Sequence, residues 1–384
     1  MEQQKMPMQY ELRKYLYQKA ARNKTPVSGT FELTPRCNMN CRMCYIRMSE
    51  EEMCARGREY TADEWIRMGQ ICAEQGMLFL LLTGGEPFLR KDFRKIYTEL
   101  KKLGLLISIN SNGTLIDRET VEWLKQDPPM KINITLYGGG NDTYKKLCGH
   151  SAGFDAAARA IDMLREAGIY VQINASFTRY NIGDMEAVYA FGKSRGIRIN
   201  TATYMFPPVR SAREGVPNEE VRFTAEEAGK ARARAELCNM RKEEMPIRLK
   251  ALHEGRCEFM RPEEECERTP DEKMGCMAGR SSFWITWDGR MTPCGMMNEP
   301  VTRPFDDGFF TSWQKIAKAT DQILLPSECG DCPKRSVCVV CGALAIAEGD
   351  GCSHKKPEYL CRQTEVFLEE MEKAYQKMLT ETSE

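Results

Sequence analysis

Three histidines in 384 residues leave little material for a metalloenzyme built on imidazole ligands. Net charge is also missing. Fifty-five basic side chains balance 55 acidic ones, so no overall field draws the chain to nucleic acid or to an acidic membrane surface. No apolar run reaches the length of a membrane span, and the opening Met1-Glu2-Gln3-Gln4-Lys5 has no apolar core of the kind a secretory signal needs. Internal repeats and low-complexity tracts are lacking too. These absences predict a cytoplasmic protein with no nucleic-acid partner and no membrane.

Cysteine, by contrast, is abundant, at 17 residues. A small secreted domain with that many would be read as a disulfide scaffold. In a long chain without an export signal, reduced thiols are more often metal ligands. Three of them fall within eight residues, as Cys37-x3-Cys41-x2-Cys44. A cubane 4Fe–4S cluster takes four ligands, so a triplet leaves one iron open to an outside chelator. The plainer readings are a structural zinc site and three unrelated buried cysteines. Zinc requires a fourth ligand, and the next cysteine, Cys54, lies in a charged stretch.

The chain is long for one ordinary domain and suits a barrel with an extension. A leading helix is predicted over residues 9–22, within an N-terminal helical segment (1–28). Short apolar strands then alternate with amphipathic helices. Strands are expected at Phe31–Leu33, Leu78–Leu82, Leu105–Asn110, Lys131–Leu136, Ile169–Ser176 and Ile197–Ala202. Helices are expected at Thr61–Glu74, Phe93–Leu103, Arg118–Lys125, Phe154–Ala167 and Asp184–Arg195. Such alternation favours parallel strands joined by crossovers, with the working face at the strands' C-terminal ends. Six units are too few to close an eight-unit barrel. The predicted fold is therefore α/β, a partial (β/α)6 TIM-like barrel over 29–206. A charged helical linker (207–254) should follow, with its solvated face dominant. Next come a cysteine-rich domain (255–365) with little periodicity and a C-terminal helix (366–384), the end of an amphipathic run starting at Glu358.

Two further patterns stand out. The second strand ends in Thr83-Gly84-Gly85-Glu86-Pro87, where two glycines let backbone approach a ligand closely and Glu86 offers a carboxylate to an ammonium group. Near the C-terminus run Cys276, Gly289-Arg290-Met291-Thr292-Pro293-Cys294, Cys329-x2-Cys332-x5-Cys338-x2-Cys341 and Cys361. By itself this second set fits a zinc ribbon as well as an iron–sulfur site.

Taken together, the cysteine triplet and the Gly-Gly-Glu-Pro segment about forty residues later resemble radical S-adenosylmethionine (SAM) enzymes, over residues 30–200. The later cysteines resemble the SPASM extension of radical SAM maturases, over 255–365. One departure is visible: two residues separate Cys338 from Cys341, where the usual pattern has three. The resemblance implies a SAM-binding 4Fe–4S cluster on Cys37, Cys41 and Cys44. Gly84, Gly85, Glu86 and Pro87 would hold the SAM amino group, Ser111 and Asn112 would lie near its ribose, and Thr135 would be a polar contact. Met43 stands where many relatives place an aromatic residue near adenine, which leaves Tyr45 as the candidate there. It also implies two auxiliary 4Fe–4S clusters. The first would use Cys276, Cys294 and Cys341, with Cys266 as fourth ligand in competition with Cys257, Cys352 or an open iron. The second would use Cys329, Cys332, Cys338 and Cys361. Cys54, Cys72, Cys148 and Cys238 remain as core or surface thiols, with Cys148 and the adjacent His150 as weaker candidates to face substrate.

In the family, one electron delivered to the SAM cluster cleaves SAM to methionine and a 5′-deoxyadenosyl radical, which abstracts hydrogen from substrate. Auxiliary clusters would carry away the electron left behind. The resemblance points to oxidative modification of a peptide or protein side chain, with a flavodoxin- or ferredoxin-type reductant. The alternative is dehydrogenation or epimerisation of a sugar or aminocyclitol, and a non-catalytic iron–sulfur carrier is a third reading that the Gly-Gly-Glu-Pro segment opposes. Sulfatase maturases carry an aspartate immediately after the cysteine corresponding to Cys294. Here it is Gly295, which argues against formylglycine formation. Only about thirty residues precede the first strand, too few for a winged-helix leader-binding domain. The expectation is a separate leader-binding protein or a substrate without a leader.

Overall fold

The computed structural model describes residues 8–206, 218–255, 274 and 276–382. Six strands follow one another across the sheet: β1 (Ser28–Glu32), β2 (Phe79–Thr83), β3 (Leu106–Ser111), β4 (Lys131–Thr135), β5 (Val171–Ser176) and β6 (Ile199–Ala202). Each pairs in parallel with the next in sequence. Apolar residues at every second strand position explain how the sheet is faced. Phe31, Leu80, Leu82, Ile107, Ile109, Ile132, Ile134, Val171 and Ile173 share one core with Trp65, Ile96, Ile161 and Val188 of the connecting helices. The helix Ala62–Glu74 opens with a capping box at Thr61, whose side chain accepts from the Glu64 N–H while Glu64 bonds back. The result is an open α/β partial barrel with helices outside.

Two features go beyond the six-unit reading. Among the described residues the sheet has eight strands, in the order β6-β5-β4-β3-β2-β1-β7-β8. Here β7 (Ser282–Ile285) lies parallel to β1, and β8 (Met291–Thr292) folds back antiparallel. The cysteine-rich segment therefore extends the barrel's own sheet. Gly289, the glycine of the motif before Cys294, is the turn residue between them, with φ +80°. The second departure concerns residues 225–239. The helix Ala225–Asn239 buries Ala228, Gly229, Ala231, Ala233 and Ala235. Its closest neighbour is the C-terminal helix Glu358–Thr382, where a Cβ on Gly229 would sit 2.7 Å from the Gln363 carbonyl oxygen. Alanines give close helix contact without a strong apolar pattern, so the charged face alone was legible.

The helix Met8–Asn23 covers the N-terminal end of the sheet, with Tyr17 stacked on Phe79 at 5.4 Å. At the opposite end, the loops after β1–β4 converge.

Candidate active site

Cys37, Cys41 and Cys44 lie on the loop after β1, and neighbouring elements hold that loop at three places. Beneath it, Gly85 N–H donates to the Thr34 carbonyl (2.7 Å) and Glu86 N–H to the Arg36 carbonyl (2.9 Å). These bonds draw the end of β2 against the loop so closely that side chains do not fit. A Cβ on Gly84, whose φ is +150°, would lie 2.5 Å from the Thr34 oxygen, and one on Gly85 would lie 2.8 Å from the Arg36 carbonyl carbon. The glycine pair thus serves backbone packing against the cysteine loop as well as any ligand.

Glu86 joins the ends of β2 and β3. Its side chain is fully buried and accepts from Ser111 Oγ (2.9 Å), Asn112 N–H (2.7 Å) and Phe88 N–H (3.1 Å). Burial pushes its carboxyl up to about 7 against the opposing pull of those donors. The carboxylate expected to meet the SAM ammonium is therefore occupied by three donors from the chain itself. Ser111 and Asn112 are likewise turned to internal work. Asn112 Nδ2 donates to Asn38 Oδ1 (2.9 Å) and lies 3.7 Å from Cys37 Sγ. Asn38 in turn donates to Thr114 Oγ1 (2.8 Å). Asn38, inside the cysteine spacer, escaped the sequence reading because one polar spacer residue carries no pattern.

The third hold comes from the helix Asn141–Cys148. Asn40 N–H donates to the Cys148 carbonyl (2.8 Å) and Arg42 N–H to the Leu147 carbonyl (2.9 Å). Cys41 lies between them, packed with Met39, Tyr144, Leu147 and Cys148, while Cys37, Cys44 and Tyr137 border the same cluster. The adjacent Cys148 thiol and then burial raise the Cys41 thiol, while the Tyr137 hydroxyl beside it opposes the rise. Cys148, considered as a substrate-facing residue, is instead fully buried against Cys41. Thr135 ends β4, and its carbonyl accepts from Tyr144 Oη (3.4 Å). Tyr45 is half-buried on the cysteine loop.

The donor set fits an iron–sulfur cluster. Three thiols meet at one apolar cluster, and N–H groups already point at two of the sulfurs: Met39 N–H at Cys37 (3.4 Å) and Arg47 N–H at Cys44 (3.2 Å). Among the described residues, no three His, Cys, Asp or Glu side chains converge tightly enough to hold a single metal ion. A cubane spreads its ligands over separate corners. Burial, first, pushes the Cys37 thiol up to about 12, so loading must displace its proton. We expect Asn112→Leu to weaken cluster retention about 10–100-fold, as loss of an outer-shell partner does, with the protein still folded. A chelator challenge followed by absorbance measures it.

The C-terminal thiols lie in two places. Cys329 is pushed up to about 11, by burial first and then by the nearby Cys338, Cys361 and Cys332 sulfurs. Cys341 is raised by burial first and, among charged neighbours, by Cys276. Cys294 follows β8 and is half-buried. Cys266 and Cys257 lie outside the described residues, and Cys352 is exposed. Cys72 belongs to the main core, Cys54 is exposed, and Cys238 packs at the core's margin. No helix among the described residues is long and apolar enough to cross a membrane.

Residues 31–191 match the family model of the radical SAM superfamily. The AdoMet-dependent heme synthase of Methanosarcina barkeri is 27% identical over 330 residues, 83% of this chain and 91% of that one. The sporulation killing factor maturation protein SkfB of Bacillus subtilis is 26% identical over 283 residues, covering 73% of this chain and 63% of its own. Among solved structures, Streptococcus suis SuiB bound to S-adenosylmethionine superposes with a TM-score of 0.61 at 18% identity, over 91% of this chain and 80% of that one. SuiB is also solved with its precursor peptide SuiA.

Proposed function

We propose that this chain, a radical SAM enzyme, oxidatively modifies a peptide or protein side chain, with Cys37, Cys41 and Cys44 holding its catalytic 4Fe–4S cluster. The observation that carries this reading is the cysteine loop itself, with three thiols at one apolar cluster and the loop tied down by β2, β3 and the helix Asn141–Cys148. When bound, the cluster and S-adenosylmethionine supply the electron transfer and the 5′-deoxyadenosyl radical that removes hydrogen from an unactivated C–H bond.

The chain's own residues would position that chemistry and keep water from it. Met39, Tyr144 and Leu147 enclose the thiols in apolar surface. Met39 N–H, Arg47 N–H and the Asn112 amide would donate to the ligand sulfurs. Because three internal donors occupy the Glu86 carboxylate, we assign the SAM ammonium contact to backbone carbonyls of Gly84 and Gly85, with Pro87 shaping the turn. Ser111 and Asn112 would border the ribose, Thr135 would add a polar contact, and Tyr45 would border the adenine.

Two auxiliary 4Fe–4S clusters complete the assignment. The mutual proximity of Cys329, Cys332, Cys338 and Cys361 supports the second, and that of Cys276 and Cys341 supports the first, to which Cys294 and Cys266 would add the remaining ligands. Held by these cysteines, the clusters would supply electron acceptance for a net oxidation of the substrate. Similarity to SkfB, a maturation protein, and fold likeness to a peptide-binding neighbour support a peptide as substrate. A ferredoxin- or flavodoxin-type reductant is the partner this reading calls for.

Cys329→Ala or Cys332→Ala should lower iron content by about four atoms per chain while 5′-deoxyadenosine still forms, because only the auxiliary cluster is lost. Iron assay and chromatography of the SAM products check it. Equal loss of SAM cleavage in this set and in the Cys37 set contradicts the division of labour. A second reading, a tetrapyrrole substrate, is favoured by similarity to the heme synthase across most of both chains.

A further inference from the structure

The concave face of the sheet is unusually rich in carboxamides. Since Ile107, Ile109, Ile132, Ile134, Val171 and Ile173 face the helices, the alternate positions face the barrel interior. Those positions hold Asn110, Asn133, Gln172, Asn174 and Asn200. Strand register places Asn110 beside Asn133 and Asn133 beside Gln172. In the next row towards the cysteine loop, Thr135 lies beside Asn174 and Asn174 beside Asn200. Asparagine is depleted in strands, so five carboxamides on four adjacent strands oppose local propensity. Such a conflict is expected where function, rather than folding, selects the residue.

The carboxamides do not satisfy one another completely. Asn133 Nδ2 donates to Asn110 Oδ1 (2.6 Å), Asn200 Nδ2 donates to Asn174 Oδ1 (3.4 Å), and Lys131 Nζ donates to Gln172 Oε1 (2.8 Å). Asn133 is only 7% exposed, and its Oδ1 is buried without a hydrogen-bond partner. Exchanging O and N in the Asn110–Asn133 pair leaves a terminal amide atom of Asn133 unpaired just the same. A buried polar atom left open in this way calls for a partner, and a ligand group is one that would supply it.

Charge narrows the ligand class. Among the described residues of this face, Glu32 is buried beside Trp284, whose Nε1–H donates to it (3.0 Å). Lys131 lies at the N-terminal end and is engaged with Gln172. No guanidinium projects from these strand positions. Carboxylates of a tetrapyrrole call for such cations, whereas neutral amides match the alternating N–H and C=O groups of a peptide backbone.

We propose that Asn110, Asn133, Gln172, Asn174 and Asn200 form the wall on which an extended peptide backbone is held for hydrogen abstraction. This rests on the reading of the chain as a peptide-modifying radical SAM enzyme and assigns specificity within it: neutral backbone is accepted, polycarboxylate is not. Asn133 provides the deepest bond.

The test uses the full reconstituted chain with SAM and dithionite, given acetyl-hexaalanine amide deuterated at its carbons. Mass spectrometry reads deuterium in the released 5′-deoxyadenosine. The expected result is saturable transfer of one deuterium from an alanine carbon to C5′, reduced about tenfold or more by Asn133→Leu, the cost of one buried hydrogen bond. Thermal melting establishes that the variant folds. If it does not fold, Asn200→Leu, at the exposed end of the wall, takes its place. Formation of unlabelled 5′-deoxyadenosine alone overturns the wall, as does deuterium transfer that neither variant changes. Saturable binding of iron coproporphyrin III, seen by absorbance and weakened by Asn133→Leu, overturns the preference for a neutral ligand. Failure of every sample to form 5′-deoxyadenosine overturns the underlying reading instead.

Discussion

Gly85→Ala is expected to leave the chain folded but unable to keep iron in the cysteine loop. The added methyl would meet the Arg36 carbonyl group and, at 2.9 Å, the Pro35 carbonyl oxygen. Both belong to rigid backbone, so they cannot rotate away as a side chain would. Overpacking of this kind costs about 1–3 kcal/mol where the surroundings can shift. Here the part that shifts is the segment carrying Cys37. The Gly85–Thr34 and Glu86–Arg36 backbone bonds would break with it. Iron and sulfide should fall by about one 4Fe–4S cluster per chain, with SAM cleavage at background. Circular dichroism should remain close to the parent's, since the core formed by Phe31, Leu82 and Ile109 lies below the contact. Full iron content in Gly85→Ala would show that the loop does not depend on this packing.

Replacing Cys37, Cys41 or Cys44 by alanine should have the largest functional effect, reducing SAM cleavage to background in each case. Cys41 gives the most informative variant because Cys148 lies beside it in the same apolar cluster. A neighbouring thiol is a plausible substitute ligand, yet its backbone carbonyl is already committed to Asn40 N–H at the end of a helix. Rescue would require the helix Asn141–Cys148 to move, releasing the bonds that hold the loop. Cys41→Ala and the Cys41→Ala/Cys148→Ala double variant should therefore fail alike. Recovery of cleavage only while Cys148 is present would show that the pocket accepts either sulfur.

The six parallel strands were legible because each is a short apolar run bounded by turns. The strand positions were correct to within about three residues, the ordinary scatter of such boundaries. The hairpin β7–β8 was missed for a physical reason: it is four residues paired with two, within a cysteine-rich segment. A signal was nevertheless present in Ser282-Phe283-Trp284-Ile285 followed by Asp288-Gly289, a β-forming run with a turn pair. The cysteine loop and the Gly84–Pro87 segment stand out in the sequence because of their spacing. What holds them together does not. The Glu86–Ser111–Asn112 knot and the anchoring of Asn40 and Arg42 to a helix end join residues 25 to 108 positions apart. Sequence patterns report periodicity along one element, whereas such bonds appear only once the elements converge. The carboxamide wall was overlooked for the same reason, since its members lie one or two to a strand.

The most direct test of the account is anaerobic reconstitution of the full chain, with iron and sulfide counted and 5′-deoxyadenosine assayed after adding SAM and dithionite. The account predicts about twelve irons per chain, in three cubane clusters, together with 5′-deoxyadenosine formation. Full cluster loading without SAM cleavage would contradict it.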